Sequence, residues 1–247
     1  MTINLAKMTY IDVQAYFEKK NIGLLPIGST EQHGKHLPLG TDFLLANALA
    51  EEAALKTGTL LLPTIPYGIS KHHSYFPTIW IDPLVFRDLV AQVVLSFKHH
   101  GLTKIVFVNG HGGNTTALSE VAGNLLDEGI QSIVWEWWKA ARIENFLREK
   151  VGPELGPVTH ADLGETSMAL AHFKDFIRMD RAEDHPLTIW APRIHGAVVH
   201  FFTHDFTKTG NLGAPTQASQ DLGENLRAIA LEELEHAITW LNNQNSR

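Results

Sequence analysis

The 247-residue chain contains no cysteine. That excludes disulfide staples, thiolate zinc sites and a cysteine nucleophile, and it suits a reducing compartment. Long hydrophobic runs are also missing. Stretches such as Gly58–Pro66 are strand-length and far short of a membrane span. No run rich in lysine or arginine occurs, and the formal net charge is −7, so nucleic acid is not an expected partner. The N-terminal segment lacks an apolar h-region with a small-residue cleavage site. A cytoplasmic protein is the expectation. No repeat, low-complexity tract or Ser/Gly linker divides the chain, which reads as a single domain over residues 1–247.

Hydrophobic residues make up 44% and charged residues 19%, enough apolar material for a sizeable core. Fourteen histidines and 27 acids, with no thiols, direct any metal site toward nitrogen and oxygen ligands. Those suit zinc, manganese or iron.

Strand-like and helix-like patterns alternate. Strands are expected at Ile22–Gly28, Thr59–Ile65, Lys104–Val108 and Gln131–Glu136. Helices are expected at Asp42–Lys56, Pro83–His100 with its first-turn proline, and Thr115–Glu128 before the C-cap glycine Gly129. Such alternation implies a parallel sheet covered on both faces. Farther along, Leu163–His172 reads as a helix and Ala197–Phe202 as a strand. Gln217–Leu241 reads as a long amphipathic helix with Leu222, Leu226, Ile229, Leu234, Ile238 and Leu241 on one face.

Ligands in open α/β sheets bind beyond the carboxyl ends of the strands. The segment after the first expected strand carries Glu31 and His33, spaced to point the same way if extended. Asp42 opens the following helix, and His111 lies in the glycine-rich turn Asn109–Asn114 after the Lys104–Val108 strand. Singly, each has a bland reading: a solvated loop carboxylate, a first-turn charge favoured by the helix dipole, a hydrogen-bonded histidine. Clustered at strand ends, they point to a metal site. By spacing alone, Asp162 and Glu165 form a capping-box pattern, and the structural role is favoured there.

The strings PIGSTEQHGKHLPLGTD, PYGISKHHSYFPTI, VNGHGGNTTAL and THADLGETSMAL, with the looser GNLGAPTQAS, resemble in order the blocks of the creatininase (creatinine amidohydrolase) family. The resemblance implies a three-layer α/β/α sandwich with a mostly parallel central sheet. It implies two divalent metal ions, zinc foremost, with manganese or iron as alternatives. The ligands carried over are Glu31, His33, Asp42 as the bridge, and His111, with Glu165 as the fifth; His160 becomes the general acid/base. His73, Trp138 and Asn114 are candidate substrate-binding residues. The implied reaction is hydrolysis of a small, cyclic amide C–N bond, in a homo-oligomer of up to six copies. The sequence departs from the family at Gly113, where creatininases proper carry a glutamate ligand, and at the shortened Phe76-Pro77-Thr78 string. A formamide deformylase or peptide-trimming hydrolase on the same site is the second reading. A non-catalytic phosphate-binding module built on the Asn109–Asn114 turn is the third, and it leaves Glu31, His33 and Asp42 unexplained. His72, His195, His200 and His204 receive no role, although His72 could line the pocket beside His73.

Overall fold

A computed structural model describes residues 3–152, 158–185 and 200–245. Its centre is a sheet of four strands in the order β2-β1-β3-β4: β1 (Ile22–Ile27), β2 (Leu60–Leu61), β3 (Lys104–Asn109) and β4 (Gln131–Trp135). All pairings are parallel, with Ile22 opposite Lys104 and Lys104 opposite Gln131. Every residue of β1 and β3 is buried, as strands covered on both faces must be.

Side chains alternate along each strand and feed separate cores. Ile22, Leu24, Val106 and Val108 join α2 (Thr41–Thr57), α5 (Ala141–Val151), α6 (Leu163–Phe173) and α7 (Gln220–Asn242) on one face. Leu25, Ile27, Ile105 and Phe107 join α3 (Pro83–Lys98) and α4 (Thr115–Asp127) on the other. The outcome is the expected three-layer sandwich. Leu226, Leu234, Ile238 and Leu241 of α7 are buried, with Leu222 and Ile229 packed at the edge of that core. No described helix is long and apolar enough to cross a membrane.

Three local departures have physical causes. The expected strand Thr59–Ile65 shrinks to Leu60–Leu61 plus an isolated bridge between Ile27 and Ile65. Pro26 faces this segment without an N–H, and Pro63 breaks it, so the ladder resumes only where Ile65 N–H reaches the Pro26 carbonyl. Residues 200–202 of the expected strand Ala197–Phe202 are not in a strand, and residues 197–199 lie outside the described set. A first helix, α1 (Tyr10–Phe17), is present that periodicity missed. It is only eight residues long with no buried side chain, too short for a clear apolar period, and it is opened by a Thr9–Asp12 capping box.

The sheet's carboxyl edge places the start of α2. A Cβ on Gly28, just past β1, would sit 2.3 Å from the Phe43 nitrogen; one on Gly110, just past β3, would sit 2.2 Å from the Asp42 carbonyl oxygen. The two glycines let α2 begin in the crevice between β1 and β3, which puts Asp42 there.

Candidate metal centre

Five acidic and imidazole side chains from four separate segments converge at this edge. Glu31 and His33 follow β1, Asp42 stands in the first turn of α2, His111 follows β3, and Glu165 stands in the first turn of α6. All are buried, from 0% exposure for Glu31 and His33 to 8% for Glu165. Asp42 lies between two histidines. Its Oδ1 is 2.9 Å from His33 Nε2 and its Oδ2 is 3.1 Å from His111 Nδ1. On the first side Glu165 Oε1 is 3.6 Å from His33 Nε2. On the second, Glu31 Oε2 is 3.2 Å from His111 Nδ1. Glu31, Asp42 and His111 present donor atoms within 4.8 Å of one another, as do His33, His160 and Glu165.

The donor set fits divalent cations. Glu31 Oε1 and Oε2, Asp42 Oδ2 and His33 Nε2 are buried with no aligned hydrogen-bond partner. A buried carboxylate left so costs on the order of 1–3 kcal/mol or more per group. Cations at the convergence would satisfy all four atoms with hard oxygen and imidazole donors. Without them, protons substitute. Burial opposes charge on His33, but the Asp42 and Glu165 carboxylates hold its pKa well above 6.5. Burial likewise opposes charge on His111, and Glu31 and Asp42 raise it. Burial pushes the Glu31 carboxyl up; burial also opposes charge on Asp42, but His33 and His111 together outweigh it and hold that carboxyl down.

The converging side chains are braced by further hydrogen bonds. Asn109 clamps the His111 main chain, donating to the His111 carbonyl at 2.8 Å and accepting from its N–H at 3.2 Å. Glu136, at the end of β4, accepts from Asn109 at 2.7 Å and from the Thr115 hydroxyl at 2.5 Å, and pairs with Lys139. Asp162 caps α6 by accepting from Glu165 N–H at 2.9 Å. Half of the capping box read from spacing is therefore present: Asp162 caps the helix, while the Glu165 side chain accepts from the Ala161 N–H and faces the cluster instead of closing the box. Gly113 cannot carry a ligand in this loop: its Cβ would meet the Ile69 carbonyl at 2.3 Å and His111 Nε2 at 2.4 Å.

A cavity of about 220 Å³ opens on the cluster, with an apolar wall of Trp138, Val158, Phe201 and Leu212. His160 lines it, its ring 4.5 Å from that of His33 and 4.3 Å from that of His73. Burial holds the pKa values of His160 and His73 well below 6.5, which keeps both rings neutral. His72, given no role from sequence, also lines the cavity and stacks on His111 at 5.6 Å. Trp138 is half-buried at the cavity wall, while Trp135 and Trp137 belong to the core. Asn114 is placed differently from the expectation. It is fully buried beneath the loop, its amide engaged by the Ile69 N–H and the Gly28 carbonyl, so it ties three site segments together and does not line the cavity. His204 stacks on Tyr75 at 4.4 Å and His200 is exposed; His195 lies outside the described residues. Sequence reading passed over Gln32, Glu136 and the backbone of Ala161. Gln32 stood inside a quoted motif, whereas Glu136 carried no local signal.

The family model described as creatinine amidohydrolase matches residues 6–238. The chain belongs to that family. Membership makes it a hydrolase of carbon–nitrogen bonds. Creatinine amidohydrolase of Pseudomonas putida is 28% identical over 234 residues, covering 87% of each chain. The mycofactocin precursor peptide peptidase of Mycolicibacterium smegmatis is 32% identical over 215 residues, 83% of this chain and 79% of that one. A creatininase structure in a manganese form superposes with a TM-score of 0.85 at 24% identity, covering 99% of this chain and all of that one. That likeness speaks to the fold.

Proposed function

We propose that the chain is a binuclear metal-dependent amidohydrolase acting on a small amide. Glu31, Asp42 and His111 would hold one divalent cation, and His33, Asp42 and Glu165 the other. The observation that carries this reading is Asp42, whose two oxygens face His33 at 2.9 Å and His111 at 3.1 Å from a position 98% shielded from solvent. Zinc is the first choice for this nitrogen and oxygen set, with manganese or iron next. Bound there, such ions lower the pKa of a coordinated water from about 15.7 toward roughly 7 and polarise a carbonyl.

The chain's own residues supply the rest. Trp138, Val158, Phe201 and Leu212 exclude water from one side of the amide. His160, neutral and at the cavity surface, takes up a proton and returns it to the leaving nitrogen, the task of a general acid/base. His73 stands beside it at the cavity. A cavity of about 220 Å³ is below the range of roughly 300–1,000 Å³ common for drug-sized ligands, which supports a small substrate. The exposed apolar side chains Ile79, Trp80, Leu84 and Val85 support self-association; the homo-oligomer of up to six copies rests on the family resemblance, and the cytoplasmic location on the lack of cysteine.

Metal analysis of the purified protein is the first test, with up to two divalent ions expected per chain. Hydrolysis of creatinine, N-formyl amines and short peptides is then compared before and after chelation. The peptide arm carries the second reading, a peptide-trimming hydrolase, which the mycobacterial relative supports. Full activity in a metal-free protein rules the proposal out.

A further inference from the structure

Gln32 lies between two histidines of the site and touches both. Its Oε1 accepts from the Gly34 N–H at 3.0 Å, and its Nε2 donates to the Gly210 carbonyl at 2.9 Å. These contacts fix the amide orientation, because a flip would set N–H against N–H and oxygen against oxygen. One amide hydrogen is left, with two ring nitrogens at 2.8 Å: His73 Nδ1 and His160 Nε2.

The main chain decides between them. His160 Nε2 also lies 2.8 Å from the backbone carbonyl of Gln32, which can only accept. His160 therefore carries its hydrogen on Nε2 and donates it to that carbonyl. The amide hydrogen goes to His73 Nδ1, which must be bare, and the Thr203 hydroxyl at 2.9 Å is a second donor to it. His73 then has its hydrogen on Nε2, 3.2 Å from Glu31 Oε1, while the bare Nδ1 of His160 lies 3.8 Å from the same oxygen.

We propose that Gln32 is a positioning residue that assigns the two histidines their tasks: His73 keeps its hydrogen on Nε2, on the side of Glu31, and His160 keeps a bare Nδ1. Glu31, His73 and His160 also lie close enough to hold a cation, but a protonated Nε2 has no lone pair to give one. His73 instead sets that Nε2 3.2 Å from Glu31 Oε1, close but not aligned as a hydrogen bond, while Oε2 lies 3.2 Å from His111 Nδ1. A donor of this kind tunes and orients a ligand, and its loss commonly costs 10–100-fold in metal affinity. The atom of His160 that moves a proton is then Nδ1. This inference rests on the metal-hydrolase reading above.

Neutron diffraction from deuterated, zinc-loaded crystals reads the ring hydrogens directly. Deuterium is expected on Nε2 of both His73 and His160 and on neither Nδ1; deuterium on either Nδ1 in place of Nε2 overturns the assignment. Gln32→Glu supplies a second readout, since a carboxylate cannot donate to His73. Its zinc dissociation constant should rise about 10–100-fold, with Thr203→Val, which keeps the amide, close to wild type. Wild-type zinc affinity in folded Gln32→Glu also overturns it. A wild-type protein that binds no divalent cation fails the metal reading itself, whereas the opposite ring hydrogens in a zinc-loaded protein fail this inference alone.

Discussion

The backbone N–H of Ala161 donates to Glu165 Oε2 at 2.5 Å. It reaches that oxygen because Ala161 has a φ of 46°, the one positive value at a non-glycine position among the described residues. The bond turns the carboxylate so that Oε1 lies 3.6 Å from His33 Nε2. A left-handed alanine costs about 1–2 kcal/mol, and such strain gathers at functional sites.

Ala161→Gly should therefore keep the site intact. Relief of strain is offset by about 0.4–1 kcal/mol of extra unfolded-state freedom, so the unfolding midpoint should move little and metal content should not change. Ala161→Val puts a β-branched side chain at a positive φ in a fully buried position. It should destabilise by more than about 2 kcal/mol and lose the cation on the Glu165 side. Thermal unfolding and metal content per chain check both. A valine variant with wild-type values contradicts the account.

Asp42 serves both sides of the centre and Glu165 serves one. Asp42→Ala should lose both cations and all hydrolysis, whereas Glu165→Ala should keep one cation. Plasma mass spectrometry of the purified variants gives the ratio. Equal losses in the two variants would remove Asp42 from its bridging role. Gly113→Glu, which restores the side chain that creatininases proper carry, should not rescue Glu165→Ala. The loop leaves a Cβ only 2.3 Å from the Ile69 carbonyl.

The sheet and the residues that converge at its carboxyl edge were legible because each rests on local chemistry. Unbroken apolar runs marked β1 and β3, and charged residues among glycines marked the turns after them. Glu165 is the instructive residue. Spacing read it as a cap partner, and the family resemblance read it as a ligand; in the structure the Asp162 cap is what places it at the cluster. Gln32 and Glu136 act across 128 and 27 residues of sequence, on His160 and Asn109 respectively, and no local pattern encodes such pairings. The left-handed Ala161 left no trace at all, since alanine signals no turn. Asn114 was misplaced because a polar residue near a site looks the same in sequence whether it faces the cavity or braces the loop behind it.

Glu136 braces His111 at one remove. Its carboxylate fixes the Asn109 amide, which grips both main-chain polar groups of His111. Glu136→Ala should weaken metal binding about 10–100-fold, and Glu136→Gln, which keeps an acceptor for Asn109, should recover most of it. Zinc titration calorimetry on the folded proteins measures the difference. Thr115→Val removes a contact to Glu136 without touching Asn109, so an equal loss there would mean that Glu136 matters only for packing.

Protons and cations compete for this centre, which gives the metal-free and metal-loaded proteins opposite responses to pH. In the metal-free protein the pKa values of His33 and His111 are raised in the folded state above the ordinary 6.5. Folding then favours their protonated forms. That contribution is fully present below pH 6.5 and is lost as pH rises through the folded values. Metal binding needs the neutral rings, so cations displace those protons and bind more tightly as pH rises. The gap in unfolding temperature between metal-loaded and metal-free protein should thus be small near pH 5.5 and widen toward pH 8, roughly one unit below and 1.5 units above the ordinary histidine value. Differential scanning calorimetry at fixed free zinc across that range measures it. A gap independent of pH would show that His33 and His111 are not where the cations bind.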